Sequence, residues 1–312
     1  MWRSILASSL ALATGCAPRY GTLSALEPQD LWAPLPIEHV TVNGVDVAYV
    51  DSGGTKPPMV FIHGLSSYLS FWEYQLPYFA KTHRVIALDL PGYGASARPD
   101  APYTPPWFAD VVSSWMTEIG VERAVIVGHS MGGNIAVQLA LSHPERVDRL
   151  VLSAPAGFER FSAGAARFMR DFWTERRAME ATEEQVRANF VASVFNRPDQ
   201  GVERLIEERV RLGKSPQFSG TSVAVSRSIA GMLDFPVIDR ARDVAAPTLI
   251  VYGTDDRMIP NPVFTGGSTK AVAEAATNAI PGARLVMLPG AGHTVHHDEP
   301  TAFNDAVEEF LR

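Results

Sequence analysis

Three short stretches carry residue types that together could do nucleophilic chemistry. The first is "GHSMGG", residues 128–133, a G-x-S-x-G pattern after the apolar run "AVIVG" and before the apolar-periodic stretch "NIAVQLALSHP". In that setting Gly128 and Gly132 permit a turn tight enough to push Ser130 outward at a helix start, where free N–H groups favour negative charge. A serine hydroxyl needs a base to take its proton, and the base needs an acid to orient it. Carboxylates stand at Asp255 and Asp256 in "GTDDRMIP", and histidines at His293, His296 and His297 in "GAGHTVHHDEP". The order along the chain is serine, acid, histidine, each just after a short apolar run.

Two other chemistries compete for these stretches. H-x-x-H-H could put His293 and His297 on one helical face as metal ligands. Gly290 and Gly292 precede it, however, and no H-E-x-x-H glutamate is present, so no metal is expected. Gly92-x-Gly94-x-x-Ala97 looks like a dinucleotide fingerprint. Pro91 precedes it and "RPDAPYTPP" follows, so no helix can start there to hold a pyrophosphate. His39, His83 and His143 fall in strand edges or surface turns and carry no signal.

The elements that must position these residues are buried strands. "HVTVNGVDVAYV" is two alternating runs about Asn43-Gly44, the signal of a type I′ hairpin. Near-continuous apolar runs follow at 58–64, 84–92, 123–130, 148–157, 247–256 and 283–292. Such runs suit parallel strands covered on both faces. Helix-length segments at 71–81, 105–119, 131–142, 268–279 and 301–311 lie between most of them. The alternation predicts an α/β fold, a doubly wound and mostly parallel sheet with helices on both sides. Loops after parallel strands share one sheet edge, so the serine, acid and histidine converge there.

One interval breaks the rhythm. Residues 158–235 are charged and helical in pattern, which predicts a helical cap inserted between core segments 38–157 and 236–312. Phe161, Ala165, Phe168, Met169, Phe172 and Trp173 fall on one helical stripe, expected to pack on its neighbours, with part of it roofing a pocket.

With these motifs, residues 38–312 resemble the α/β-hydrolase fold family. The resemblance selects among the candidates. A pattern like G-x-x-D-x-x-x-P runs from Gly253 to Pro260 and points to Asp256 as the acid. A pattern like G-H-x-x-x-x-[DE]-x-P runs from Gly292 to Pro300 and points to His293 as the base. His296 and His297 become loop residues near a helix start, at the mouth of the site, and Asp298 a cap for the final helix, with Pro300 in its first turn. "FIHGLSS" implies an oxyanion hole from the backbone N–H groups of Leu65 and Met131, with His63 and His129 structural. "DLPGYGAS" is similar to the family's D-x-P-G-x-G-x-S loop, ending at Ser96.

A serine elbow reading "GHSMGG" is similar to the esterase and lipase branch and implies carboxylic-ester cleavage through an acyl-enzyme, with no cofactor. The same triad on this fold could instead serve C–C bond, lactone or amide hydrolysis, or perhydrolysis. A ligand-binding receptor keeping a slow triad is a further alternative.

The start of the chain, "MWRSILASSLALATGC", has one positive charge, Arg3, then a short apolar stretch and the chain's single cysteine. That layout predicts a signal peptide over 1–15 and lipidation of Cys16, resembling a bacterial lipoprotein, with 16–37 as a proline-rich tether. The expected location is the bacterial cell envelope, membrane-anchored through that lipid, or else secreted or periplasmic. A net charge of −7 gives nucleic-acid binding no electrostatic support. The expected partners are a small-molecule ester or lipid substrate and the membrane.

Overall fold

The computed structural model describes residues 20–312, so the expected signal peptide and Cys16 lie outside the described residues. Eight strands form one sheet in the order β1-β2-β4-β3-β5-β6-β7-β8. They are β1 (Glu38–Val42), β2 (Val45–Asp51), β3 (Pro58–Ile62), β4 (Arg84–Leu88), β5 (Ala124–His129), β6 (Val147–Ser153), β7 (Thr248–Gly253) and β8 (Arg284–Leu288). The β1–β2 and β2–β4 pairings are antiparallel and the remaining five, from β4–β3 across to β7–β8, are parallel. The β1–β2 hairpin turns through Asn43 and Gly44, both at positive φ, as a type I′ turn requires.

Alternation along the strands feeds two cores. Val60, Ile62 and Ile126 face one side, packed with α2 (Pro105–Glu118), α3 (Met131–Ser142) and α9 (Thr269–Ala279). Met59, Phe61, Val125 and Val127 face the other, packed with α1 (Gln75–Phe79) and α11 (Pro300–Leu311). Because both faces are covered, the central strands can be apolar at every position. The helix expected over 71–81 is shorter than that, a 3-10 turn at Leu69–Trp72 followed by α1. Pro77 cannot donate the i→i−4 bond that would extend an α-helical turn back through Glu73.

Between β6 and β7 the chain forms α4 (Ala163–Phe172), α5 (Glu175–Met179), α6 (Glu183–Asn189), a π-helical turn (Phe190–Val194), α7 (Gln200–Leu212) and α8 (Phe218–Asp234). The α4 stripe does not bury itself as a packing face. Ala165 is its buried residue, Phe168 is 53 % exposed, and Met169, Phe172 and Trp173 line a cavity beneath. The cap's own core gathers Phe190, Phe195, Leu205, Ile206 and Phe218 with Tyr68 and Phe71 from the loop after β3.

The segment expected as a proline-rich tether is, from Tyr20 onward, bound to the cap. Tyr20 donates its hydroxyl to Glu203 at 2.7 Å, Leu26 N–H reaches Arg211 O at 3.3 Å, and Arg204 stacks on Trp32 at 4.1 Å. Prolines deny this stretch regular backbone pairing, so side chains of α6 and α7 satisfy it instead. Among the described residues no helix is long and apolar enough to cross a membrane.

Candidate active site

The site forms where β3 and β5 lie side by side while their next neighbours run off in opposite directions, the switch point where open parallel sheets form a crevice. Ser130 occupies the corner between β5 and α3 at φ 52° and ψ −115°. A Cβ at Gly128 would collide with the carbonyl of Gly132, and one at Gly132 with the carbonyl of Ile62. Glycine at both positions therefore lets the helix start fold against the strand end. The Ser130 backbone is held by its N–H to Ser153 O at 3.0 Å and by Ala156 N–H to its carbonyl at 3.0 Å.

His293 and Asp256 arrive from the loops after β8 and β7, which touch each other through Asp255 N–H to Ala291 O at 3.0 Å. His293 Nε2 lies 3.0 Å from Ser130 Oγ, and His293 Nδ1 lies 2.9 Å from Asp256 Oδ2. The other Asp256 oxygen accepts the N–H groups of Met258 and Ile259 at 2.8 and 3.0 Å. Both carboxylate oxygens are thus committed, which fixes the orientation of the imidazole. With Nδ1–H donated to Asp256, Nε2 is left as the acceptor for the serine proton. Asp255 is exposed, accepts from Thr254 Oγ1 and takes no part.

Leu65 lines the same cavity as Ser130 and His293, and Met131 opens α3, where an N–H has no intrahelical acceptor. His63 holds the Leu65 loop. Its Nδ1–H donates to Gly64 O at 2.8 Å and its Nε2 accepts Leu90 N–H at 3.0 Å. Burial pushes His63 down to about 4, so it stays neutral. Gly64 packs tightly on the elbow, since a Cβ there would lie 2.9 Å from His129 Nδ1. The loop 89–97 is built as a brace. Asp89 accepts Leu69 N–H and Ala95 N–H, both at 2.7 Å, and burial raises its carboxyl to about 6. Ser96 Oγ donates to Asp89 O and accepts Ala48 N–H.

Two expectations for the histidine loop are corrected. His296 and His297 do not line the mouth of the site. Both are buried, in the short helix α10 (Val295–Asp298). His296 stacks on Trp72 with ring centroids 4.1 Å apart and meets Ser153 Oγ at 3.0 Å. His297 packs edge-on to Tyr74 and Phe195 and lies 3.3 Å from Glu73. The loop turns inward because α10 pulls them beneath Trp72 and Phe71. Burial also drives His129 and His296 well below the ordinary histidine value. Among the described residues no three or more histidines, cysteines or carboxylates gather to hold a metal ion.

Asp298 does not cap the final helix. Its carboxylate accepts Gly292 N–H at 2.7 Å, Asn196 N–H at 3.0 Å and Arg197 N–H at 2.9 Å. It ties the residue before His293 to the cap, about 100 positions away in sequence, a link no local pattern could reveal.

Above Ser130, between core and cap, lies a cavity of about 1050 Å³. Its walls are largely apolar, from Phe161, Met169, Val225, Ile229 and Met232, with arginines and Glu159 interspersed. Glu159 accepts Asn261 N–H at 2.6 Å and Thr265 Oγ1 at 2.7 Å, and burial raises its carboxyl above the usual range.

Known proteins fit this arrangement. The α/β hydrolase fold family matches residues 57–300. A dihydrolipoyllysine-residue acetyltransferase component of the acetoin cleaving system of Cupriavidus necator is 30% identical over 274 residues, covering 86% of this chain and 67% of that one. A probable hydrolytic enzyme of Pseudomonas aeruginosa PAO1 superposes with a TM-score of 0.80 at 25% identity, over 89% of this chain and 95% of its own. An enol-lactonase of Burkholderia xenovorans LB400 does so with a TM-score of 0.69 at 26% identity, over 88% and 99%.

Proposed function

The chain belongs to the α/β-hydrolase fold family, and on that premise we propose that it is a serine hydrolase that cleaves carboxylic esters. The observation that carries this reading is the unbroken chain of hydrogen bonds from Ser130 through His293 to Asp256 beside a large apolar cavity.

Ser130 Oγ attacks the ester carbonyl as His293 Nε2 takes its proton. Asp256 holds the imidazole and stabilises the imidazolium that forms. The oxyanion is met by the N–H groups of Leu65 and Met131, each donor being worth about 3–4 kcal/mol in the transition state. The C–O bond to the alcohol breaks, and His293 returns the proton to the leaving oxygen. Water, deprotonated by the same histidine, then releases the acid from Ser130.

Lactones, as cyclic esters, are opened by the same attack. The likeness to an enol-lactonase favours them as a second substrate class. A panel of p-nitrophenyl esters and lactones of graded chain length tests both. Ser130→Ala should remove turnover of every substrate, and turnover that survives in that variant refutes the assignment.

Cys16, preceded by a short apolar leader, is taken as the site of a lipid anchor that holds the enzyme in the bacterial envelope. Metabolic labelling with an alkyne fatty acid should mark the wild type and not Cys16→Ser. Equal labelling of the two would contradict the anchor.

A further inference from the structure

Eleven arginines lie between residues 158 and 235. Nine have a carboxylate oxygen within 4.0 Å. Among the described residues Arg177 and Arg209 have none, and both line the cavity that holds Ser130 and His293. The coincidence is selective. The cap pairs its other arginines with carboxylates and leaves these two, each stacked on an aromatic ring, at the wall of the cavity above the nucleophile.

Arg209 is the more confined of the two. Its guanidinium stacks over Phe218 at 4.4 Å, and one N–H reaches Ala178 O at a long 3.5 Å. Burial lowers it to about 10, with no neighbouring carboxylate acting against that shift. Arg177 belongs to α5, the helix whose Ala178 carbonyl Arg209 approaches, and lies over Phe172 at 3.9 Å. The acids of the cavity are already engaged, Glu180 by Arg176 and Glu159 by Asn261 and Thr265.

A desolvated guanidinium without a counter-charge is unfavourable, and a ligand that brings the anion relieves it. The planar fork suits carboxylate or phosphate oxygens, two at a time. The remaining walls, with Met169, Val225, Ile229 and Met232, suit hydrocarbon. We propose that the cavity selects amphiphilic esters bearing an anionic group, carboxylate or phosphate, held by Arg209 with Arg177 while the scissile carbonyl rests at Ser130. This rests on the reading of Ser130 as the ester-cleaving nucleophile.

The test compares p-nitrophenyl valerate with mono-p-nitrophenyl glutarate, matched in chain length and differing by a terminal carboxylate. In the wild type kcat/KM should favour the anionic ester by about tenfold or more, one such contact being worth a decade. Arg209→Gln should bring the ratio down at least about tenfold, chiefly through KM, with Arg209→Lys between the two. Arg211→Gln, removing an ion-paired arginine of the same helix, should keep the wild-type ratio. Calorimetric titration of Ser130→Ala with dodecyl phosphate, dodecanoate and dodecanol distinguishes phosphate from carboxylate recognition and needs no turnover. Anion binding lost with Arg209→Gln in a protein that cleaves no ester would leave the anion site standing and remove the hydrolase reading. Ester turnover with no preference for the anion, or a preference indifferent to Arg209→Gln, overturns the anion site alone.

Discussion

Ser130 is held at a positive φ, a conformation costing about 1–3 kcal/mol for a residue with a Cβ. Hydrogen bonds from both sides of the elbow hold it there, and the reward is an Oγ aimed at His293 rather than packed into the strand. The three histidines of residues 293–297 separate sharply in this light. His293→Ala should lower kcat/KM by at least about 10³-fold with little change in melting temperature, since the imidazole acts as the base. His296→Ala should leave kcat/KM within about tenfold but cost about 2–4 kcal/mol of stability, because it empties the space beneath Trp72. Assays paired with calorimetry check both, and the reverse pattern would place the base at the wrong histidine. Ser130, Asp256 and His293 were legible in the sequence because each sits in a local pattern at a strand end. The burial of His296 and His297 was not, because Trp72, Tyr74 and Phe195 reach them only through the folded chain.

At the scale of elements, the elbow and the cap latch matter most. Gly132→Ala would drive a methyl into the Ile62 carbonyl, and backbone at that point has nowhere to move. The expected outcome is a loss of about 3 kcal/mol or more, read as a failure to accumulate folded protein or a much lower denaturation midpoint. Asp298 joins α10 to the linker between the π-helical turn and α7. Asp298→Ala leaves three N–H groups without their acceptor. Faster hydrogen exchange at Asn196 and Arg197 should follow, with a kcat/KM loss of about tenfold because Gly292 immediately precedes His293. Exchange unchanged from wild type would show that the latch carries no load. The helices of the cap were readable from their periodicity. How they dock was not, since Asp298, Glu73 and Tyr68 reach the cap across long stretches of chain.

For the molecule as a whole, the doubly wound, mostly parallel sheet was legible from six apolar runs alternating with helix-length segments, whereas the strand order and the course of residues 20–37 over α7 were not, because both are set by contacts far apart in sequence. Three buried neutral histidines give the fold a defined acid response. His63 titrates near 4 when folded against 6.5 when unfolded, and His129 and His296 are displaced in the same direction. The unfolded chain therefore takes up protons first as pH falls. The stability these groups contribute is complete above about 6.5 and is lost as pH falls below it, each adding up to about 1.4 kcal/mol per pH unit to the slope. Asp89, raised to about 6, and Glu159 and Glu208, raised above the ordinary carboxyl value by burial, act oppositely and offset part of the histidine loss as pH falls. The melting temperature should fall between pH 7 and pH 5, and a rise over that interval would contradict the neutral burial of these side chains.

If Ser130 is the activated nucleophile of a complete triad, a fluorophosphonate must modify it, and intact-protein mass spectrometry after that treatment reads the modification outright. Wild-type protein should carry a single adduct, mapped to Ser130, absent in Ser130→Ala and greatly slowed in His293→Ala. An unlabelled wild type, or an adduct that persists in Ser130→Ala, would contradict that role.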